Sequence, residues 1–460
     1  MRAWLFPAVV LAFATATGLS MAFGRSAAIA NKPNIVIIVS DDQGYGDLGC
    51  YGSGEAETPN LDRMAKEGVR LTDFYVTHPA CTPSRAGLLT GRYAQRCTAN
   101  WALINRNHPA FNDEKEYTGG IPASEDFLLP AVLKEVGYRT GCFGKWHLGH
   151  GQGQKPFDRG FDDSLISAMG YVDCFTGRFF GHPDIFKNGV VQDFSGYTND
   201  AYVDAAIKFV EASKDHPFFI YLPFNAVHSS PPTEERPYPM VQAPAEDLNH
   251  FKAKGFSGHR LHYLAALHRM DQGIGRLETA LEKNGVAQNT LVIFFSDNGG
   301  HHKFGAENSP LRGQKATLLE GGIRVPAIVK WPGVLPPGEL CEEPLMQLDF
   351  FNMSLAAAKA SVPSSRRLDG KNPTPTLKGE AASPHDRLVF QFHQSVAVRE
   401  GRYKLFRPHG AHAGYELYDL EKDVGETENL AVEHPDVVQR LAADPLLEEL
   451  EALFEATPRE

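Results

Sequence analysis

Four short apolar runs punctuate the chain: Asn34–Ser40 (NIVIIVS), residues 138–143, Phe218–Pro223 (FFIYLP) and residues 291–296 (LVIFFS). Each has the length of a strand. The first and last are apolar at nearly every position, as strands buried on both faces are. Between them lie segments whose apolar residues recur at helical spacing: 60–67, 126–136, 200–212 and 261–283. Asn60, directly after Pro59, suits a helix N-cap. Strand and helix patterns in alternation predict βαβ units around a large, mostly parallel sheet flanked by helices, an α/β fold.

The pattern changes near the C-terminus. Residues 363–384 are rich in Pro and Gly and read as a linker or long surface loop. Beyond them 388–393, 395–406 and 415–420 alternate at the strand period without long helices between, which predicts a small antiparallel sheet, and 435–455 predicts a terminal helix. The N-terminus also differs from the rest. Arg2 precedes an uncharged, mostly apolar run from Ala3 to Phe23, and Ala28-Ile29-Ala30 offers a small-residue cleavage site. This predicts a signal peptide over 1–30 and export to the periplasm or the extracellular space, with no stable membrane insertion after cleavage. The competing reading is an uncleaved anchor. The run approaches the roughly 20 residues that span a bilayer, but Pro7, Gly18 and Ser20 weaken it. The expected organisation is therefore a leader over 1–30, a catalytic domain over 31–362, a linker over 363–384 and a C-terminal subdomain over 385–460.

With 460 residues, 42% hydrophobic and 22% charged, the chain has the profile of a globular protein large enough for one α/β domain and a smaller one. Its net charge is −11, and loss of Arg2 and Arg25 with the leader leaves 43 basic against 56 acidic residues, or −13. Such a surface field does not attract nucleic acid, and an anionic substrate needs a local cluster of cations. Six cysteines stand at 50, 81, 97, 142, 174 and 341. Export permits disulfides, and the absence of any CxxC argues against a zinc knuckle.

The candidate chemistry follows the strands. Asp41 and Asp42 follow the first, Lys145 and His147 the second, His228 the third, and Asp297 and Asn298 the fourth. In open parallel sheets, ligands bind beyond the carboxyl ends of the strands, so these groups are expected to converge. Asp41, Asp42, Asp297 and Asn298 offer only oxygen, which suits calcium or magnesium better than zinc. Using both Asp41 and Asp42 requires the chain to bend, and Gly44 and Gly46 permit it. Lys145 and His147 share a face, with Trp146 turned away, if the strand continues. Gly144 and Gly149 flank them and allow close backbone approach to a ligand. Cys81 stands just before a predicted helix start, with Thr82 as N-cap, Pro83 as first helical residue and Arg85 in the first turn, folded back toward the cysteine. His301 and His302 follow the fourth strand end and read as zinc ligands, substrate contacts or loop residues, with substrate contact preferred. Trp101, His108 and Tyr171 lie in long loops suited to walling a pocket.

Residues 81–92, Cys-Thr-Pro-Ser-Arg-Ala-Gly-Leu-Leu-Thr-Gly-Arg, resemble the sulfatase signature, in which the cysteine is oxidised to formylglycine by a formylglycine-generating enzyme. Gly144-Lys-Trp-His-Leu-Gly, the run Gly313 to Pro326 and the region Glu416 to Leu430 resemble sulfatase segments in the same order. The resemblance implies an alkaline phosphatase-like fold and hydrolysis of a sulfate ester of a saccharide or an aryl alcohol. It further implies metal binding by Asp41, Asp42, Asp297, Asn298 and the modified Cys81, which is also the nucleophile. Arg85 would hold the hydrated aldehyde, Lys145, His228 and Lys315 would grip the sulfate, and His147 would act as base on the second hydroxyl. Two other readings stand beside it. One is a phosphatase, phosphodiesterase or formylglycine-dependent phosphonate hydrolase of the same superfamily. Phosphatases of that superfamily use Ser or Thr and two zinc ions, which Cys81 and Asn298 argue against. The other is a non-catalytic sulfoglycan-binding protein, which the filled catalytic positions argue against.

Overall fold

The computed structural model describes residues 32–97, 120–122, 124, 127–149, 151–233, 236–410 and 414–456. The leader expected over 1–30, Trp101 and His108 lie outside the described residues.

A ten-stranded sheet organises the larger part. Its order is Glu339–Cys341, Val69–Leu71, Ala327–Lys330, Thr290–Ser296, Asn34–Ser40, Phe218–Pro223, Arg139–Lys145, Asp163–Ser167, Ile185–Lys187 and Val190–Gln192. The five strands from Thr290–Ser296 to Asp163–Ser167 are mutually parallel, and antiparallel pairings border them on both sides. Ser40 pairs with Ser296 and Val39 with Pro223, so the carboxyl ends of three central strands finish level.

The first strand is apolar throughout because both faces are covered. Ile35, Ile37 and Val39 enter one core and Val36 and Ile38 the other. The second core is closed by helices Pro59–Glu67, Thr198–Ser213 and Gly258–Lys283. The first is closed by helices Cys81–Thr90, Leu129–Glu135 and Leu348–Ala358, and it runs on into the C-terminal sheet.

That sheet has four antiparallel strands, Leu388–Phe392, Ser395–Glu400, Tyr403–Arg407 and Glu416–Asp419. The segment expected as one strand over 395–406 is a hairpin, turned at Gly401 with φ 54°. The expected terminal helix is two helices, Pro435–Ala442 and Pro445–Glu455. Asp444 separates them by accepting hydrogen bonds from the Leu446 and Leu447 N–H groups, with Pro445 starting the second. Residues 363–384 contain a short helix, Thr374–Leu377. They are also tied to the larger body: Asp369 accepts from the Tyr93 N–H at 3.0 Å and pairs with Arg96, and the Lys371 N–H donates to Asp349. All six cysteines are free thiols. Among the described residues no helix is long and apolar enough to cross a membrane.

Candidate active site

The strand ends converge as their order in the sheet requires. Asp41, at the end of the first strand, accepts a hydrogen bond from Lys145 Nζ at 2.6 Å on Oδ2 and from the Cys81 thiol at 3.4 Å on Oδ1. Lys145 is the last residue of its strand, which runs two residues further than the apolar run suggests. Gly144 permits this: its φ is 137°, and a Cβ there would stand 1.8 Å from the Pro223 carbonyl oxygen. The chain then turns. His147 has φ 54°, while Trp146 is buried and donates to the Gly149 and Gln154 carbonyls. The bend after Asp41 falls on Asp42 itself, with φ 58°. Gly44 and Gly46 serve a different purpose, close packing, since a Cβ would meet the Glu307 carbonyl oxygen at 2.2 Å or the Ser309 carbonyl oxygen at 2.6 Å.

Cys81 is the first residue of its helix, which differs from the expected start. Ala80 occupies the cap position in extended conformation with no side-chain cap, and the Thr82 hydroxyl donates to the His147 carbonyl at 3.1 Å instead. All ten residues of this helix are buried. Gln347 fastens it, donating to the Ser84 carbonyl at 2.8 Å and accepting from the Ser84 hydroxyl at 2.8 Å. Arg85 reaches the Asp297 carboxylate, with Nε at 2.9 Å and Nη2 at 2.7 Å from Oδ2, and donates to the Lys145 carbonyl at 3.1 Å. Lys315 Nζ lies 2.6 Å from Asp42 Oδ1 and 3.3 Å from Cys81 Sγ. The backbone of this loop is pinned where the Lys315 N–H donates to the Gly300 carbonyl.

Burial sets the protonation states. It pushes the Cys81 thiol up to about 12, with Lys145 and Lys315 only partly offsetting it, so the thiol carries its proton at neutral pH. Asp41 is raised to about 7, because its desolvation outweighs the nearby Lys145. Desolvation would also raise Asp42, but Lys315 and His228 hold it below the usual carboxylate range. His228 is pushed down to about 3 by burial. Its Nδ1 lies 2.7 Å from the Ser229 carbonyl and its Nε2 3.4 Å from Asp42 Oδ2. His147 falls well below the ordinary histidine range, chiefly by burial, and neither ring nitrogen has a hydrogen-bond partner among the described residues.

Ligand atoms of Asp41, Asp42, Cys81 and His228 lie within 4.8 Å of one another. Asn298 Nδ2 donates to Asp42 Oδ1 at 2.8 Å, and its Oδ1 is buried without a hydrogen-bond partner. A buried amide oxygen left open beside converging carboxylates is what a hard divalent cation would satisfy. Asp297 stands just outside the four-residue group, bound to Arg85. His301 flanks the site: burial lowers its pKa, with Asp42 raising and Lys315 lowering it. Its ring packs edge-on against Phe304 at 5.0 Å. His302 is exposed and tied to the loop backbone, its Nε2 3.0 Å from the Gly313 carbonyl. Tyr171 stacks on the His228 ring at 5.5 Å between centroids and 11° between planes. Gln347 and the Tyr171–His228 stack join segments far apart in the chain, and no local motif in the sequence marks either.

Comparison with known proteins places the chain in one family. The Sulfatase family model matches residues 33–360, and the model for the C-terminal part of N-sulphoglucosamine sulphohydrolase matches 314–453. N-acetylgalactosamine-6-sulfatase of Rattus norvegicus is 34% identical over 403 residues, covering 82% of this chain and 72% of its own length. Arylsulfatase A of Homo sapiens is 33% identical, covering 93% of this chain and 90% of its own. The crystal structure of Ps i-CgsB in complex with k-i-k-neocarrahexaose superimposes with a TM-score of 0.81 at 31% identity, over 92% of each chain. The chain belongs to the sulfatase family and is a sulfuric ester hydrolase.

Proposed function

We propose that the protein is an exported sulfatase of sulfated carbohydrates that works through formylglycine at position 81 and one calcium or magnesium ion. The catalytic domain would span 31–362 and the subdomain 385–460, joined by 363–384. The observation that carries this is the setting of Cys81: its thiol lies between Asp41 and Lys315, at the meeting point of four strand ends. A relative named N-acetylgalactosamine-6-sulfatase and a solved structure in complex with a neocarrahexaose support the saccharide class. The apolar run and Ala28-Ile29-Ala30 cleavage pattern support export.

Asp41, Asp42, Asp297, the Asn298 Oδ1 atom and the modified residue 81 would hold the metal, whose charge stabilises the sulfuryl oxygens. The hydrated aldehyde would supply one hydroxyl that attacks sulfur as the ester S–O bond breaks and the alcohol leaves, and a second whose deprotonation would re-form the aldehyde while the C–O bond to sulfate breaks; water would then restore the hydrate. The chain's own residues do the rest. Lys145 and Lys315 place fixed positive charge at the sulfate, a preorganised contribution of the kind that usually dominates such reactions. Arg85, locked on Asp297 and the Lys145 carbonyl, holds residue 81 in place. His147, kept neutral by burial and free at both nitrogens, can accept the proton of the second hydroxyl. Lys315 remains charged, because the neighbouring carboxylates, Asp42 foremost, outweigh its desolvation. Two of its three ammonium hydrogens face Asp42 and Cys81. The third is available to the leaving alcohol, which makes Lys315 the proton-donor candidate; His228, kept neutral by burial with its Nδ1–H on the Ser229 carbonyl, has no proton on Nε2 to give.

The test is turnover of 4-nitrophenyl sulfate and of defined sulfated saccharides by the wild type and by Cys81→Ala. Activity on both classes, lost in the variant, supports the reading. Activity on the aryl sulfate alone removes the saccharide assignment.

A further inference from the structure

Among the described residues, exposure locates the open side of the site. The Asp41, Lys145 and Arg85 side chains are 0% exposed, against 14% for His228 and 18% for Lys315. The mouth therefore lies over His228 and Lys315. Tyr171 stands there, stacked on His228. Burial raises its hydroxyl, and Lys315 is near enough to offset part of that.

Behind Tyr171 lies a small hairpin, Arg178–Phe179 paired with His182–Pro183. Its turn residues are Phe180 and Gly181, with φ 45° and 84°. Two successive positive φ values make the tight primed turn that suits a hairpin, but Asn or Gly is the residue that favours the first position. A phenylalanine there carries a backbone cost, and bulky residues held in this region cluster at ligand sites. The two aromatic rings meet edge-on, 4.8 Å between centroids, but differ in exposure. Phe179 points inward and is 1% exposed, while Phe180 is 38% exposed and packs edge-on against Tyr171, 6.0 Å between centroids. The hairpin is firmly held: Asp173 N–H donates to the Arg178 carbonyl at 2.8 Å, Asp184 N–H to the Gly177 carbonyl at 2.9 Å, and Arg178 Nη1 to the Gly181 carbonyl at 2.7 Å. Arg178 and His182, both exposed, flank the tip.

We infer that Phe180 and the adjoining edge of Tyr171 form a saccharide subsite, which stacks the ring next to the sulfated sugar and so favours chains over single sugars. This rests on the carbohydrate reading above. A sugar ring has one face made of C–H groups, which an aromatic platform complements, while the basic residues beside the tip suit a sulfated chain better than an acidic protein. The platform is preorganised, so little ordering cost opposes binding.

The test compares a sulfated monosaccharide with the hexasaccharide of the same series, in the N-acetylgalactosamine and carrageenan series, with 4-nitrophenyl sulfate as a check on the chemistry. Phe180→Asn keeps a residue suited to the turn and removes the ring. It is expected to raise KM for the hexasaccharide about three- to tenfold relative to the monosaccharide, the range of an aromatic contact, with kcat little changed. Phe180→Trp should restore the hexasaccharide KM. Equal effects on both chain lengths, or a changed sedimentation coefficient without a chain-length effect, would overturn the subsite and leave the sulfatase reading intact. Turnover of the aryl sulfate with no saccharide turned over would overturn the carbohydrate reading and the subsite with it.

Discussion

Two buried ionic clusters sit about one fold apart in purpose though close in composition. The active site holds Asp41, Asp42 and Asp297 against Lys145, Arg85 and Lys315. The junction with the C-terminal sheet holds Asp73, Glu320 and Glu426 against Arg324, Arg399 and Lys404. Both match three acids with three bases. The junction is closed: Lys404 Nζ lies 2.8 Å from both Glu320 Oε1 and Glu426 Oε1, Tyr75 donates to Glu320 Oε2 at 2.6 Å, and Arg399 binds Asp73 and Tyr75. The active site is left incomplete, with Asn298 Oδ1 and both His147 nitrogens buried and unpartnered. Burying charge is costly unless each group is paired, so a closed cluster specifies structure. An open one carries polar atoms that only a ligand can satisfy.

The comparison breaks most sharply when each cluster loses one member. Cys81→Ala is expected to lower kcat by roughly 10³-fold or more with the melting temperature nearly unchanged, whereas Asp297→Ala, which also leaves buried Arg85 without its partner, lowers kcat and melting temperature together, as steady-state kinetics and calorimetry can show. A large fall in stability with activity retained would erase the distinction. Within the active site, Lys315→Ala is expected to lose far more kcat on a sugar sulfate than on 4-nitrophenyl sulfate, by about 10²-fold or more, because a sugar alkoxide needs a proton as it leaves and an acidic phenol does not. Equal losses on both substrates would confine Lys315 to sulfate binding.

At the junction, Lys404→Met leaves Glu426 facing Glu320 without its counter-charge, while Glu320 keeps Arg324. Breaking a buried pair in this way typically costs about 3–5 kcal/mol, readable as a shift in the urea midpoint. The smaller effect on turnover would arrive through the loop that carries Lys315, since Arg312 on that loop donates to the Glu426 carbonyl at 2.7 Å. Finally, chelation should destabilise the protein by about 3–4 kcal/mol if the metal is normally present at 100–1,000 times its Kd. Calcium or magnesium should restore the loss, and metal analysis should find no stoichiometric zinc. Zinc bound at Asp41, Asp42 and Asp297 would instead favour the phosphatase alternative.

What the sequence made legible follows the same division. Strands such as Asn34–Ser40 and Phe218–Pro223 were readable to the residue, because burial on both faces writes an unbroken apolar run. The convergence of Asp41, Lys145, His228 and Asp297 was readable because each closes or follows a strand, and parallel strands gather their ends; Cys81, at a helix start, and Lys315, in a loop, were marked by the resemblance to sulfatase segments. The far end of Arg139–Lys145 was obscured by Gly141 and Gly144, which the packing requires but which interrupt a strand pattern. Thr82 has the chemistry of a cap, yet the His147 carbonyl takes its hydroxyl, a tertiary contact no local rule anticipates. The junction was invisible for the same reason: Lys404 reads as a polar position on an alternating strand, and its partners lie in other segments.

Mass spectrometry of the tryptic peptide ending at Arg85, on enzyme made together with a formylglycine-generating enzyme, tests the central claim most directly. The account predicts that residue 81 carries an aldehyde in place of its thiol, and that specific activity rises in proportion to the fraction converted. Full activity in protein whose Cys81 is entirely unmodified would contradict it.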